Sequence, residues 1–169
     1  MNVAHIHILL VHLPVLGAYF GLVLLLYGWA FKKQEALRIS FGTFFVAGLF
    51  SVIVYLTGGA AEEIVEDVAG VTHDIIEAHE DFAVAALVSG IVLGLTGVVG
   101  LLVSIRRTVI PRWLTVTVVV IGIVTAGIMA RTAYLGGQIN HPEIRSDQET
   151  VQASVPATDE SSGVSLPPQ

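Results

Sequence analysis

The sequence predicts an all-α membrane protein, a four-transmembrane-helix up-down bundle with both termini outside (N-out/C-out). Composition is the first reason, because 54% of the 169 residues are hydrophobic, only 13% are charged, and the mean hydropathy is +0.79. A soluble domain of this size normally carries more charge. Length is the second reason, since a bilayer core of about 30 Å needs about 20 apolar residues per helix. Four stretches with almost no internal charge meet this need: 8–31, 39–55, 82–105 and 113–135.

The two short loops that follow the first and third stretches predict the orientation. Residues 31–38 and 105–112 together hold six of the eight basic residues. Short loops rich in Lys and Arg stay in the cytoplasm, and short connections make consecutive helices antiparallel neighbours. The chain has no Lys or Arg before its first span, which favours a retained span over a cleaved signal peptide. We therefore expect a multi-pass protein of the bacterial inner membrane, with both termini in the periplasm.

Residues 1–142 are predicted to form one transmembrane domain, which a polar tail follows. The tail, 143–169, is rich in Ser, Pro, Asp, Glu and Gln and has neither an aromatic residue nor an apolar periodicity. Such a composition is typical of a disordered or partner-binding segment. The chain also has no cysteine. This excludes disulfides, thiolate-held clusters and the covalent attachment of c-type haem.

An acidic segment, 62–81, separates the second and third spans. It contains eight acidic residues together with His73 and His79, and such groups beside a bilayer need water or a cation. We expect a short acidic outer helix here. On it His73, Glu77 and Glu80 would share one face, either as a carboxylate-rich metal site or as a solvated face that docks a basic partner. A di-iron bundle is not indicated, because the chain lacks the Glu-x-x-His pairs that such bundles use.

The histidines are all predicted at the outer ends of the spans. They are His5, His7, His12, His73, His79 and His141. Two of them, His12 and His79, combine a place on a helix with depth in the span, as the axial ligands of a bis-His haem require. Pro14 removes a backbone hydrogen bond and should bend the first span, so that the segment before it leans over the bundle.

The third span carries a stripe of small residues on the same face as His79. At about 100° per residue, the stripe contains Ala83, Ala86, Gly90 and Gly97. Such a stripe either lets a neighbouring helix approach closely or leaves room for a flat cofactor. The sequence leaves both interpretations open.

Two further features belong to the outer ends of the second and fourth spans. Arg131 is a basic residue inside the fourth span, with Tyr134 and Gln138 at helical spacing. It either snorkels to the interface or pairs with an anion such as a carboxylate or a haem propionate. In segments 55–59 and 134–137, Tyr-Leu is followed closely by paired glycines. That pattern either ends a helix or lets the backbone line a pocket.

These motifs resemble those of a family of small four-span bacterial membrane proteins catalogued as domain of unknown function 2231. The resemblance covers about residues 5–142 and rests on four segments in order: His5-x-His7 with His12-Leu13-Pro14, Tyr55-Leu56-Thr57-Gly58 with Glu62-Glu63, His79-Glu80, and Leu135-Gly136-Gly137 with His141. Some members resemble the membrane parts of longer proteins that contain c-type cytochrome domains, so the resemblance implies electron transfer. The chain departs from the family where Pro142 follows His141 in place of further glycines.

The first functional hypothesis is a haem b-binding electron-transfer subunit. A single bis-His haem near the periplasmic face would be held by His12 and His79, with Arg131 or Tyr134 near the propionates. It would pass electrons between quinol and a periplasmic electron carrier on one side of the membrane, because no histidine near the cytoplasmic face can hold a second haem. No nucleophile, phosphate-binding loop or paired acid–base motif predicts independent catalysis, and no feature predicts a nucleic-acid partner.

Two other hypotheses belong to different classes. One is a cofactor-free scaffold subunit of a larger membrane complex, in which His and Glu side chains form a structural hydrogen-bond network. The other is a Zn, Cu or Fe ion bound at the outer face. The alternative metal ligands are His5, His7, His73, His141, Glu63 and Glu80.

Overall fold

The computed structural model describes residues 3–65, 73–141 and 144. This described part forms five helices: α1 (Val3–Leu10), α2 (His12–Ala30), α3 (Gln34–Val65), α4 (His73–Arg106) and α5 (Arg112–Asn140). Four segments are long and apolar enough to cross a membrane: Val3–Ala30, Gln34–Glu62, His73–Arg106 and Arg112–Ile139. The predicted all-α architecture with four such helices is therefore confirmed. The side of the membrane on which each end lies stays a prediction.

The separate acidic outer helix is not found in the described residues, and that prediction needs correction. Glu62 belongs to α3, whereas His73, Glu77 and Glu80 belong to α4. The two spans continue as helices beyond their apolar parts because helical hydrogen bonding does not depend on apolar side chains. Acidic side chains also stabilise the first turn of a helix such as α4, where the positive end of the helix dipole lies. Residues 66–72 lie outside the described residues, as does the tail apart from residue 144.

The first span is interrupted near Pro14. α1 ends at Leu10 and α2 begins at His12, and the intervening Val11 keeps right-handed helical angles of φ −57° and ψ −26°. Proline has no N–H, so the carbonyl of Leu10, four residues earlier, loses its helical partner. The interruption is thus local, and α1 and α2 together form one span.

The four spans form a closed ring in which consecutive spans are neighbours. α2 and α4 each pack against both α3 and α5, and α1 packs mainly against α3. The core inside the ring contains the fully buried side chains of Leu25, Phe41, Phe44, Leu93 and Val118. Large apolar side chains also cover the outside of the bundle, a surface that suits lipid chains.

The contact between α3 and α4 is made by glycine. A Cβ atom added at Gly48 would lie 2.7 Å from the carbonyl oxygen of Gly90 and 2.8 Å from the Cα of Gly94. One added at Gly97 would lie 2.6 Å from the carbonyl oxygen of Phe41. The two backbones are therefore in direct contact. At Gly90 and Gly97, the small-residue stripe is used for helix packing.

The bundle has two chemically different ends. At the histidine end, α1 and α4 begin and α3 and α5 end. At the basic end lie the connections 31–33 and 107–111. The backbone N–H of Ile110, in the second connection, donates to Oε1 of Gln34, the first residue of α3, at 2.9 Å. Which of the two ends faces the periplasm and which the cytoplasm stays a prediction from the positions of the basic residues.

Candidate functional site

His7 on α1 is turned toward α3. Its Nδ1 lies 3.1 Å from the carbonyl oxygen of Val54 and 3.0 Å from Oγ1 of Thr57. A carbonyl oxygen can only accept, so the bond to Val54 forms in the tautomer that carries its proton on Nδ1, and Oγ1 of Thr57 can accept from the same N–H. In the neutral ring, Nε2 is then the atom with the free lone pair. The imidazole also lies against Gly58, where an added Cβ would be 3.7 Å from its Cε1.

His79 on α4 makes the corresponding contact with α5. Its Nδ1 lies 3.1 Å from the carbonyl oxygen of Thr132, which fixes the same tautomer. The ring packs tightly on Gly136, because an added Cβ would lie 2.9 Å from Cε1 and 3.3 Å from Nδ1. Any side chain at Gly136 would therefore displace the imidazole.

The two contacts share one design. In each, a histidine from one helix lies on the first glycine of a Gly-Gly pair in a neighbouring helix. Its Nδ1 donates to the carbonyl four residues before that glycine, Val54 before Gly58 and Thr132 before Gly136. The paired glycines do not end their helices, since α3 and α5 continue to Val65 and Asn140. They remove the side chain that would keep the imidazole away.

The two imidazoles act at the same end of the bundle. They lie near enough for the charge of one to influence the other. In the described part of the chain, the Nε2 atoms of His7 and His79 have no hydrogen-bond partner, and neither atom is sealed from solvent. Each ring is therefore anchored through Nδ1 and presents Nε2 as an acceptor or a ligand.

His12 takes part in neither of these two contacts. Its side chain is exposed, whereas His7 is half-buried. A signal in the sequence distinguishes the two histidines. Counting from Ala4 in alternating steps of three and four residues reaches His7 and then the small buried residues of α2. These residues are Pro14, Ala18, Gly21 and Gly28. His12 is not reached by this series. Such spacing marks the face of a helix that packs against its neighbours.

The other predicted ligands are distributed over the surface of the histidine end. His5, His73, His141 and Glu80 have exposed side chains, and the side chain of Glu63 lies outside the described residues. Among the residues described, no group of three or more His, Cys, Asp or Glu side chains is placed to hold a metal ion. Glu80 instead lies beside Glu62, with His73 near enough to act on the pair electrostatically.

Arg131 and Tyr134 lie together on α5, close in the chain to Thr132, whose carbonyl anchors His79. The guanidinium of Arg131 is 5.4 Å from the ring centre of Tyr134 and 5.6 Å from that of Phe82, so it makes cation–π contacts with both. Nε2 of Gln138 donates to the hydroxyl of Tyr134 at 3.3 Å. The hydroxyl of Thr132, whose carbonyl anchors His79, donates to the carbonyl of Phe82 at 3.1 Å. Arg131 is the cationic group of this aromatic cluster.

Fold and site together define a class: a four-span helical bundle that presents two anchored imidazoles at one end. The chain matches no protein-family model, no curated protein and no solved structure. The resemblance to the family with domain of unknown function 2231 therefore stays a prediction based on the motifs.

Proposed function

We propose that this protein is a membrane electron-transfer subunit that holds one haem b through His7 and His79. The observation that carries the proposal is the pair of imidazoles whose Nδ1 atoms are bonded to carbonyls of neighbouring helices. Histidines that bind metals almost always donate their second ring nitrogen in this way, which fixes the tautomer and raises the basicity of the ligating nitrogen. His7 thus replaces His12 as the proposed partner of His79.

The donor set fits haem better than a bare metal ion. A porphyrin supplies four nitrogens itself and asks the protein for two axial ligands. A structural Zn²⁺ normally requires four protein ligands, and a catalytic one requires three. Two imidazoles are therefore a complete ligand set for haem but an incomplete one for Zn²⁺, since the described residues hold no group of three suitable side chains. Zn, Cu and Fe ions are therefore the weaker alternatives.

The surrounding residues would each contribute to such a site. The carbonyls of Val54 and Thr132 accept from Nδ1, which leaves the lone pair on Nε2 of each imidazole available. The hydroxyl of Thr57 also donates to the carbonyl of Val54, at 2.8 Å. Arg131, which contacts Phe82 on α4, provides a cation at this end of the bundle that suits a carboxylate such as a propionate. When bound, haem supplies a one-electron redox couple.

The position of the pair also supports electron exchange on one side of the membrane. All six histidines belong to the histidine end, and none lies near the basic end. A second haem at the basic end would have no imidazole. Quinol and a periplasmic carrier are the proposed partners, and membership of the resembling family is part of the same proposal.

The test is a reduced-minus-oxidised visible spectrum of the purified protein and three histidine variants. We expect a b-type band that His7→Ala and His79→Ala each abolish. His12→Ala is the matched control and should keep the band, because its side chain is exposed. His79→Met should retain haem with a higher reduction potential, because methionine ligation raises the potential. Circular dichroism would verify that each variant is folded.

Two results would reject the proposed ligands. One is a band that survives both His7→Ala and His79→Ala, and the other is a band lost only in His12→Ala. If the wild-type protein has neither a band nor bound metal, the redox function itself is rejected.

A cofactor-free scaffold is the second candidate, and one observation favours it. His7 and His79 already connect pairs of helices, α1 with α3 and α4 with α5. A scaffold needs these bonds for stability alone. It predicts a colourless protein whose unfolding temperature falls in His7→Ala and His79→Ala but not in His12→Ala.

A further inference from the structure

A small cavity opens at the basic end, far from the histidine site. Its volume is about 240 Å³, and it lies where α2 ends and α3 and α5 begin. The polar and aromatic residues that line it are Trp29, Lys32, Gln34, Arg112 and Thr115. It thus combines two cations with a tryptophan and an amide.

The backbone of Lys32 has an unusual conformation. Its φ is 54°, and Lys32 is the one non-glycine residue with positive φ in the described part of the chain. Lys33 N–H donates to the carbonyl of Gly28 at 2.8 Å, and Lys32 N–H donates to that of Trp29 at 3.4 Å. These two bonds form a Schellman motif, in which the residue at the position of Lys32 is usually glycine. Lysine is strained there, and strained residues concentrate at functional sites.

The charge around the cavity favours an anion. Residues 31–38 and 105–112 contain six basic residues and one acidic residue, Glu35. Gln34 uses its side-chain oxygen to accept from Ile110 N–H, so its amide NH₂ group stays available to donate. The cavity therefore offers two cationic groups and a neutral donor.

The location favours a lipid over a free ion. Phe31 and Trp113, next to Lys32 and Arg112 in the chain, expose 64% and 66% of their surface on the outside of the bundle. Aromatic side chains of this kind are enriched at the level of the lipid headgroups. Basic pockets between transmembrane helices on the cytoplasmic side are suited to anionic headgroups.

We propose that this cavity binds the phosphate group of an anionic phospholipid through Lys32 and Arg112. Trp29 would pack beside the headgroup, and Gln34 would donate to a phosphate oxygen. The strained lysine is then retained because its side chain contacts the lipid. This site does not depend on the proposed haem function.

Native mass spectrometry of the detergent-solubilised full chain can test this site. The probes are phosphatidylglycerol, phosphatidylcholine and inorganic phosphate. We expect the wild-type protein to bind phosphatidylglycerol in preference to phosphatidylcholine. In a parallel thermal-unfolding measurement, inorganic phosphate should not raise its unfolding temperature. Lys32→Gln and Arg112→Gln should each weaken phosphatidylglycerol binding about tenfold, the effect of losing one charge-assisted contact.

Lys33→Gln is the matched control, because Lys33 carries the same charge next to Lys32 without lining the cavity. It should keep most of the affinity. If Lys33→Gln weakens binding as much as Lys32→Gln, a diffuse surface potential explains the binding and the proposal fails. Equal binding of phosphatidylcholine, or equal stabilisation by inorganic phosphate, would also overturn it.

Lys32→Gly separates function from folding at this position. Glycine relieves the backbone strain, so the lipid-free variant should unfold at a higher temperature than the wild-type protein while binding phosphatidylglycerol more weakly. A lysine with a purely structural role would not produce this opposite pair of changes. A variant that is both less stable and equally able to bind would contradict the assignment.

Discussion

Gly136 gives the most direct test of how the histidine site is built. A methyl group at this position would lie 2.9 Å from Cε1 of His79, which is closer than carbon atoms approach without movement. The imidazole would have to shift, and its 3.1 Å bond to the carbonyl of Thr132 would lengthen. Gly59 offers a control in α3, because a methyl group there meets nothing within 4 Å.

The expected magnitudes follow from two opposing effects. Replacing glycine by alanine inside a helix stabilises it by about 0.5–1 kcal/mol through backbone entropy, and Gly59→Ala should show this gain. Gly136→Ala has the same gain but adds an overpacking cost of about 1–3 kcal/mol and weakens a hydrogen bond worth about 1 kcal/mol. We therefore expect Gly136→Ala to lower the free energy of unfolding by about 1–3 kcal/mol.

Reversible unfolding in mixed detergent micelles, followed by circular dichroism, would measure both variants. The reasoning requires the two substitutions to change stability in opposite directions. If Gly136→Ala were as stable as Gly59→Ala, the imidazole would not be held against that glycine, and the anchored pair could not be the basis of the site.

Two further predictions concern other parts of the bundle. Gly48→Ala should destabilise the protein by about 1–3 kcal/mol, because its methyl group would meet the backbone of α4 at 2.7 Å and 2.8 Å; Gly42→Ala on the same helix meets nothing within 4 Å and should be neutral or slightly stabilising in the same assay. Lys32→Gly should raise the free energy of unfolding by about 1 kcal/mol, since a left-handed residue with a Cβ costs roughly that much; a loss of stability would show that the lysine side chain holds the turn together.

The general architecture could be predicted from the sequence because it follows from simple quantities. The length of the apolar stretches identifies the spans, and the short connections between them make consecutive spans antiparallel neighbours. The ends of α3 and α4 were harder to predict. Apolar patterning stops at residues 55 and 82, but the helices continue to Val65 and begin at His73. Hydropathy indicates which part of a helix is surrounded by lipid, whereas backbone hydrogen bonding determines where the helix begins and ends.

The choice between His12 and His7 as the partner of His79 depends on more than depth in the span. Depth in the span favoured His12, but burial depends on which face of the helix meets its neighbours. The small residues at three- and four-residue spacing mark that face, and His7 belongs to it while His12 does not. The glycines that admit the imidazoles were visible as a pattern. Their role could not be predicted from the sequence, because Gly58 contacts a histidine 51 positions away in the chain and Gly136 contacts one 57 positions away.

The histidine contacts also bear on how the two halves of the bundle can move. Each half is a helical hairpin closed by a short connection at the basic end and by an imidazole at the other, so it is fastened at both ends. Neither imidazole bond crosses from one hairpin to the other. A small slide of one hairpin along the other would therefore change the separation of the two Nε2 atoms while leaving both bonds intact. Such a slide is opposed by the glycine contact between α3 and α4 and by the packing of α2 against α5, since these join the two hairpins.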